Sequence, residues 1–242
     1  MLTRPLAALL ILLALPGLAH AERLHFDGLD FKIKEGKGMG PGPNDWARSQ
    51  VFIDTQGRLH LKFSEKDGRW YAGEVESISR FGFGTYEITF EGDIGGMDRN
   101  VVFGFFNYPT EDVGPDGTNE IDIEFAHWGH SSWDPLNYTV WPAKTQLNYA
   151  HQTFRFRKGN RRSVHRFTWK PDRVVYSSAE LKDDGSTANT AYWAFKPDDP
   201  AKRIGQQPMP VHFNLWGFRG RPPNDGEPVE VIVESFKYTP LP

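Results

Sequence analysis

The sequence predicts an all-β protein built as two antiparallel sheets packed face to face. Three observations predict it. Short stretches of strict apolar–polar alternation recur along the chain, turn residues separate them at regular intervals, and almost no window carries the 3.6-residue period of an amphipathic helix.

The alternation is clearest in four places. Leu59, Leu61 and Phe63 alternate with Arg58, His60 and Lys62, and Tyr86, Ile88 and Phe90 with Thr85, Glu87 and Thr89. Phe167 and Trp169 alternate with Arg166, Thr168 and Lys170, and Val229, Val231 and Val233 with Glu230, Ile232 and Glu234. Period two is the signature of a half-buried strand. Further strands are expected at Tyr71–Ser79, Val101–Asn107, Asn119–Phe125, Leu136–Trp141, Arg173–Leu181 and Pro210–Trp216. Gly95-Gly96, Asp116-Gly117 and Asp183-Asp184-Gly185 supply turns between them. About a dozen such strands make a sandwich, in which one sheet curves and leaves a concave, open cleft. Residues 34–46, 189–207 and 217–226 lack alternation and are expected as loops.

The 242 residues carry no linker, repeat or low-complexity run, so residues 22–242 read as one domain. Residues 1–21 read as a secretory signal peptide. Arg4 supplies the positive start, Leu6 to Leu15 the apolar run, and Ala19-His20-Ala21 the small-residue cleavage site. The expected address is therefore the periplasm or the medium, with no membrane association after cleavage.

Composition narrows the function. A formal net charge of -3, with both signs interspersed, offers no basic face for nucleic acid. The chain has no cysteine, which excludes disulfides, Cys nucleophiles and Cys-ligated metal centres. Aromatic residues make up 14% of the chain, with 8 tryptophans, and suit a partner offering flat C–H faces and hydroxyls.

The stretch that carries chemistry is Asn119-Glu120-Ile121-Asp122-Ile123-Glu124-Phe125. On a strand, Glu120, Asp122 and Glu124 share one face, while Ile121, Ile123 and Phe125 share the other. No Lys or Arg separates the carboxylates, so their repulsion should raise the pKa of at least one. A solvated acidic strand and a calcium site are the competing readings. The first runs against the mixed charge usual on exposed strands, and the second needs six to eight oxygens that one strand does not supply. Glycoside hydrolysis needs unequal carboxyls, one protonated to assist the leaving oxygen and one ionised to attack the anomeric carbon.

Glu120-Ile121-Asp122-Ile123-Glu124 resembles the E-x-D-x-E signature of the family 16 glycoside hydrolases, in the unbulged form of the lichenases. The resemblance extends along the mature chain in order. It takes in Gly73-Glu74, Phe81-Gly82-Phe83-Gly84-Thr85-Tyr86-Glu87, Phe105-Phe106, His165–Asp172 and Phe213-Asn214-Leu215-Trp216-Gly217. It implies a concanavalin-like β-jelly roll and a secreted, retaining endo-glycosidase acting on a polysaccharide, with a β-1,3/1,4-glucan preferred. Glu120 would be the nucleophile, Glu124 the general acid/base and Asp122 the assisting carboxylate. Glu74 falls where the family has a substrate-binding Glu, and Asn137, Tyr138 and Trp216 at positions lining the cleft. Trp128 and Trp133, in the loop after the catalytic strand, are candidates for stacking on sugar. Glu76 departs from the lichenase pattern, which commonly has Arg there.

A transglycosylase, or a hydrolase of xyloglucan, laminarin or galactan, would use the same residues. A non-catalytic lectin on this fold would have lost one of the two Glu, and both are present. No cofactor is required by this chemistry; a structural calcium, with Glu234 contributing, is compatible with the resemblance. A monomer is expected.

Overall fold

The computed structural model describes residues 23–156, 159 and 161–242, so the expected signal peptide lies outside the described residues. Seventeen strands run in chain order. The first five are β1 (Arg23–Phe26), β2 (Leu29–Ile33), β3 (Gly36–Met39), β4 (Asn44–Trp46) and β5 (Val51–Ile53). The central run comprises β6 (Leu59–Lys66), β7 (Arg69–Ser77), β8 (Gly84–Gly92), β9 (Val101–Asn107), β10 (Ile121–Ala126), β11 (Leu136–Val140) and β12 (Ala150–Phe154). The last are β13 (Arg161–Trp169), β14 (Val174–Leu181), β15 (Thr187–Phe195), β16 (Val211–Gly217) and β17 (Val229–Pro240). One four-residue helix, α1 (Pro200–Arg203), interrupts them.

The ladders form two sheets. One runs β1-β2-β7-β16-β9-β10-β11-β12, and the other β5-β6-β17-β8-β13-β14-β15. Every pairing within them is antiparallel. The long β6–β7 hairpin ties the sheets together, because its tip pairs internally while its stems join opposite sheets. This is a jelly-roll sandwich, as the alternation predicts.

Alternation along each strand decides the core. Ile121, Ile123 and Phe125 of β10 point inward with Phe103 and Phe105 of β9 and Phe213 and Leu215 of β16, all buried. They meet Tyr86, Ile88 and Phe90 of β8, Phe167 and Trp169 of β13 and Tyr176 of β14 from the other sheet. The contact is largely ring on ring. Tyr86 stacks on its cross-strand partner Phe167 at 4.5 Å, Tyr138 on Tyr176 at 4.6 Å, and Phe90 meets Phe103 edge-on at 4.8 Å. Such pairs add about 0.5–1.5 kcal/mol each beyond burial.

Two expected loops are partly strand. Residues 34–46 hold β3 and β4, paired with each other and, for β4, with β7 in parallel. Residues 189–207 open with the end of β15, an outer strand whose polar sequence reflects solvent on its far side, with Tyr192 exposed. Alternation fails where a strand is short or at an edge. Of residues 217–226, Gly217 closes β16 and Phe218–Gly220 form a single 3-10 turn; residues 221–226 carry no strand.

His165, opposite Ile88 on β13, is the buried polar exception in the core. It is held between the hydroxyls of Ser163 and Ser178 at 2.8 and 2.7 Å and stacks on Phe90 at 4.6 Å. Burial holds its pKa down at about 3, against an ordinary 6.5. Between those values the unfolded chain binds a proton that the native core refuses. His165 therefore costs stability as pH falls through that window, by at most about 1.4 kcal/mol per pH unit. In urea melts from pH 7 to pH 4, His165→Gln should be less stable at pH 7 yet lose stability less steeply on acidification.

Candidate active site

Asp122 and Glu124 lie on the outer face of β10, as its sequence requires, and Glu120 stands just before it; this face is the floor of the expected cleft. Their settings differ. Asp122 is buried, whereas Glu120 and Glu124 are half-buried. Glu120 stands one residue before the ladder that begins at Ile121, and its carbonyl accepts the Trp141 backbone N–H at 2.9 Å. Asn119 just before it turns left-handed at φ 63, a conformation Asn tolerates better than most residues. The expected strand start at Asn119 is thereby corrected by two residues.

Burial acts on all three carboxyls. It pushes Glu124 up to about 7. Burial, then the Glu124 charge, raises Glu120 well above the usual carboxylate range, while a hydrogen bond from Asp122 works the other way. Burial and both Glu charges raise Asp122 well above the usual carboxylate range. Asp122 Oδ2 accepts the Trp141 indole N–H at 2.9 Å, and among the described residues Oδ1 meets no hydrogen-bond partner. Two carboxyls hydrogen-bond to each other only when one is protonated, so a proton held on Asp122 is what it could offer Glu120.

Ladder register extends the floor sideways. Glu124 is in line with Gly104, Asn214 and Glu74 on successive strands, and Asp122 with Phe106, His212 and Glu76. Gly104 is needed bare: a Cβ there would lie 2.6 Å from Asn214 Oδ1. Glu74 is clamped by Lys34 Nζ at 2.9 Å and His212 Nδ1 at 3.1 Å. Burial alone would raise its pKa, but His212 and Lys34 outweigh it and hold the carboxyl below the usual range. Lys34 also lies over the Trp46 ring, and His212 stacks on Phe106 at 5.0 Å. Glu76 reaches Lys32 at 3.4 Å.

The other expected cleft residues are distributed unequally. Tyr138 points into the core and is fully buried; its place at the cleft is corrected, because register puts Asn137 and Thr139 on the outer face and Tyr138 on the inner one. Asn137 does face outward, but it is buried and spends its amide on the Ala126 and Pro135 carbonyls. Its Oδ1 accepts the Trp128 indole N–H at 3.1 Å. Trp128 packs against Trp216 and edge-on against Phe218, joining the cleft rim as one aromatic block. Trp133 is 51% exposed and stacks on His130 at 4.2 Å. Sequence reasoning passed over Trp141, His212, Lys34 and Gly104. His212 and Trp141 share parity with Asn214 and Asn137, and that parity was the available signal.

Glu234, expected to contribute to a calcium site, is held by Arg162 in a two-pronged ion pair at 2.6–3.0 Å. Among the described residues no three His, Asp or Glu side chains converge as metal ligands. No helix among them is long and apolar enough to cross a membrane.

Residues 43–228 match the model of glycosyl hydrolases family 16. The chain is 25% identical over 189 residues to the Bacillus licheniformis protein named beta-glucanase, covering 72% of this chain and 64% of that one. It is 27% identical over 214 residues to endo-1,3-1,4-beta-glycanase ExoK of Rhizobium meliloti (strain 1021), covering 79% and 66%. The match thus spans about two thirds of these relatives' lengths. Among solved structures it resembles the Bacillus licheniformis beta-glucanase (TM-score 0.62, 21% identity, 86% of this chain and 91% of that one). It also resembles a family 16 endo-glucanase from Bacteroides ovatus (TM-score 0.66, 14% identity, 86% and 94%).

Breaking the Glu74 clamp should be costly for the fold itself. Glu74→Ala leaves His212 and Lys34 without their anion, and removing one member of a buried ion pair costs about 3–5 kcal/mol. Urea unfolding at pH 7 should show a loss of that order, against less than half of it for Glu76→Ala.

Proposed function

The chain belongs to family 16 of the glycosyl hydrolases, and we propose that it is a secreted, retaining endo-β-glucanase whose preferred substrate is a β-1,3/1,4-glucan. The observation that carries the reading is the unequal treatment of three carboxyls on one face of β10. The names of the Bacillus licheniformis and Rhizobium meliloti relatives support the substrate class.

In this reading Glu124 is the general acid. Burial keeps it protonated up to about pH 7, so it can hand a proton to the departing oxygen. Glu120 is the nucleophile. Its raised pKa comes from burial and from the charge on Glu124, and a protonated Glu124 exerts no such charge. With the Asp122 proton donated to it, Glu120 is then the carboxyl that ionises and attacks the anomeric carbon. Glu124, now a carboxylate, next takes a proton from the incoming water, which releases the sugar from Glu120. Asp122 never meets the sugar; it holds the charge on Glu120. The chemistry needs no cofactor.

Retention asks for carboxyls about 5–5.5 Å apart, whereas residues four apart on a straight strand are roughly 13 Å apart at the backbone. Two long Glu side chains close that distance from either side of the shorter Asp122. Glu120, outside the ladder and next to the left-handed Asn119, is free of the strand's pleat. Trp128, half-buried, and Trp133, exposed, in the loop after β10 offer flat faces for sugar rings. Glu76, paired with Lys32, supplies no cation where lichenases commonly place one.

Incubation with lichenan, barley β-glucan, laminarin, xyloglucan and agarose should release new reducing ends from the first two. Glu120→Ala and Glu124→Ala should each lose about 10³-fold or more. With added azide, Glu124→Ala should form a β-glycosyl azide and Glu120→Ala an α-glycosyl azide; the reverse assignment would exchange the two roles. Retention of polysaccharide without cleavage would favour the lectin reading instead. The alkaline limb of kcat/KM should fall near pH 7 in the wild type, as Glu124 loses its proton, and vanish for substrates whose leaving group needs no acid.

A further inference from the structure

Among the described residues Trp141 is the one donor hydrogen-bonded to the triad's middle carboxyl, and its placement is specific. Its backbone N–H is bonded to the Glu120 carbonyl, which makes it the cross-strand partner of that residue at the end of β11. Its indole then reaches diagonally to Asp122 Oδ2 at 2.9 Å. The ring packs against Tyr149, with centroids 4.8 Å apart, and lies beside Gly117, where a Cβ would sit 3.8 Å from it. Gly117 is left-handed, a conformation that a residue without a side chain adopts freely.

We infer that Trp141 is a positioning residue for the nucleophile: its indole N–H fixes the Asp122 carboxyl so that Oδ1, and the proton it carries, faces Glu120. The inference rests on the reading of Glu120 as nucleophile. A carboxyl bearing one proton can carry it on either oxygen. An N–H aimed at Oδ2 makes that oxygen an acceptor and leaves the proton to Oδ1. Among the described residues no donor or acceptor meets the buried Oδ1, so a proton on it is open to Glu120, whose charge acts on Asp122 ahead of that of Glu124. A free rotamer would instead let the proton point into the core or the cleft, and Glu120 would lose its donor.

No competing group does this work. Glu124 on the same strand, Glu74 on β7 and Asp116 in the loop before β10 act on Glu120 as negative charges that hinder its ionisation. Tyr108 spends its hydroxyl on Asp116 at 2.6 Å. His212, in register with Asp122 two strands away, is turned to Glu74. Tyr176, beneath Asp122, donates its hydroxyl to the Thr139 carbonyl at 2.7 Å. Glu120 therefore depends on Asp122, and Asp122 on Trp141, for its orientation.

The test is Trp141→Phe, which keeps a ring between Tyr149 and Gly117 and removes the N–H. On lichenan, kcat should fall by about tenfold to a hundredfold, as when outer partners that orient a ligating carboxylate are removed, with KM changed less than about threefold. A 2,4-dinitrophenyl β-glycoside of a β-glucan oligosaccharide, which needs no acid, should lose as much, because the damage is to Glu120. In a cycle with Asp122→Asn the two changes should be strongly non-additive. Carbon-13 titration of the Asp and Glu carboxyls, assigned with Glu120→Gln and Asp122→Asn, should show Glu120 ionising at higher pH in Trp141→Phe. That readout needs no turnover: if the wild type cuts no polysaccharide, the glycosidase reading falls and the titration still decides the inference. An unchanged Glu120 titration, additive effects, or a raised KM at constant kcat (the ring serving sugar alone) would overturn it.

Discussion

Three carboxyls crowded on one face of a strand whose other face is sealed into the core is the constraint on which the rest of the cleft depends. Like charges at this spacing repel, and burial deepens the cost because water cannot screen them. A protein that must keep them has two ways to lower the cost: bring cations, or let protons stay. Around Glu120, Asp122 and Glu124 this chain takes the second course. The groups acting on Glu120 are carboxyls, and on Asp122 carboxyls and one indole. The three carboxyls therefore favour their protonated forms, which is what the proposed double displacement would draw on.

The strain of that arrangement is borne by the sandwich. Ile121, Ile123 and Phe125 are buried among the rings of both sheets, so β10 cannot tilt to spread its charges apart. A shift by one residue would turn the carboxyls into the core and the apolar face into solvent, a far greater cost than the repulsion. Rigidity of this kind also keeps Gly104 tight beside Asn214 and holds the register that aligns Glu124 with Glu74. The core in this sense holds the carboxyls of the candidate site in place.

How much of this the sequence discloses follows from which contacts are local. The two-sheet architecture was legible, because period two repeats in Leu59–Phe63, Tyr86–Phe90 and Phe167–Trp169, and core burial follows it. The triad was legible because i, i+2 and i+4 share a face by covalent geometry alone. Tyr138 was misplaced because a resemblance assigned the dipeptide Asn137-Tyr138 to the cleft, where period two allows only one of the two. β3, β4 and the end of β15 were missed because short or solvent-flanked strands need not alternate. Trp141, His212 and Lys34 were invisible for a deeper reason: they matter through partners 19, 138 and 40 residues away, and only ladder register brings them together.

Glu74 shows that burial alone does not decide what a cleft carboxylate does. It lies on the same floor, in line with Glu124, and is as thoroughly enclosed as Asp122. Yet Lys34 and His212 take one oxygen each, so it remains an anion at any pH near neutral, and no lone proton is left to move. Asp122 has one oxygen on a neutral indole and the other without a partner among the described residues, and burial and the charges of Glu120 and Glu124 favour its protonated form. The charge of their partners separates a fixed anion from a carboxyl that favours its proton. A cation placed beside β10 would erase the distinction: it would stabilise the fold, lower all three carboxyls together, and leave Glu124 without the proton that the proposed mechanism asks of it.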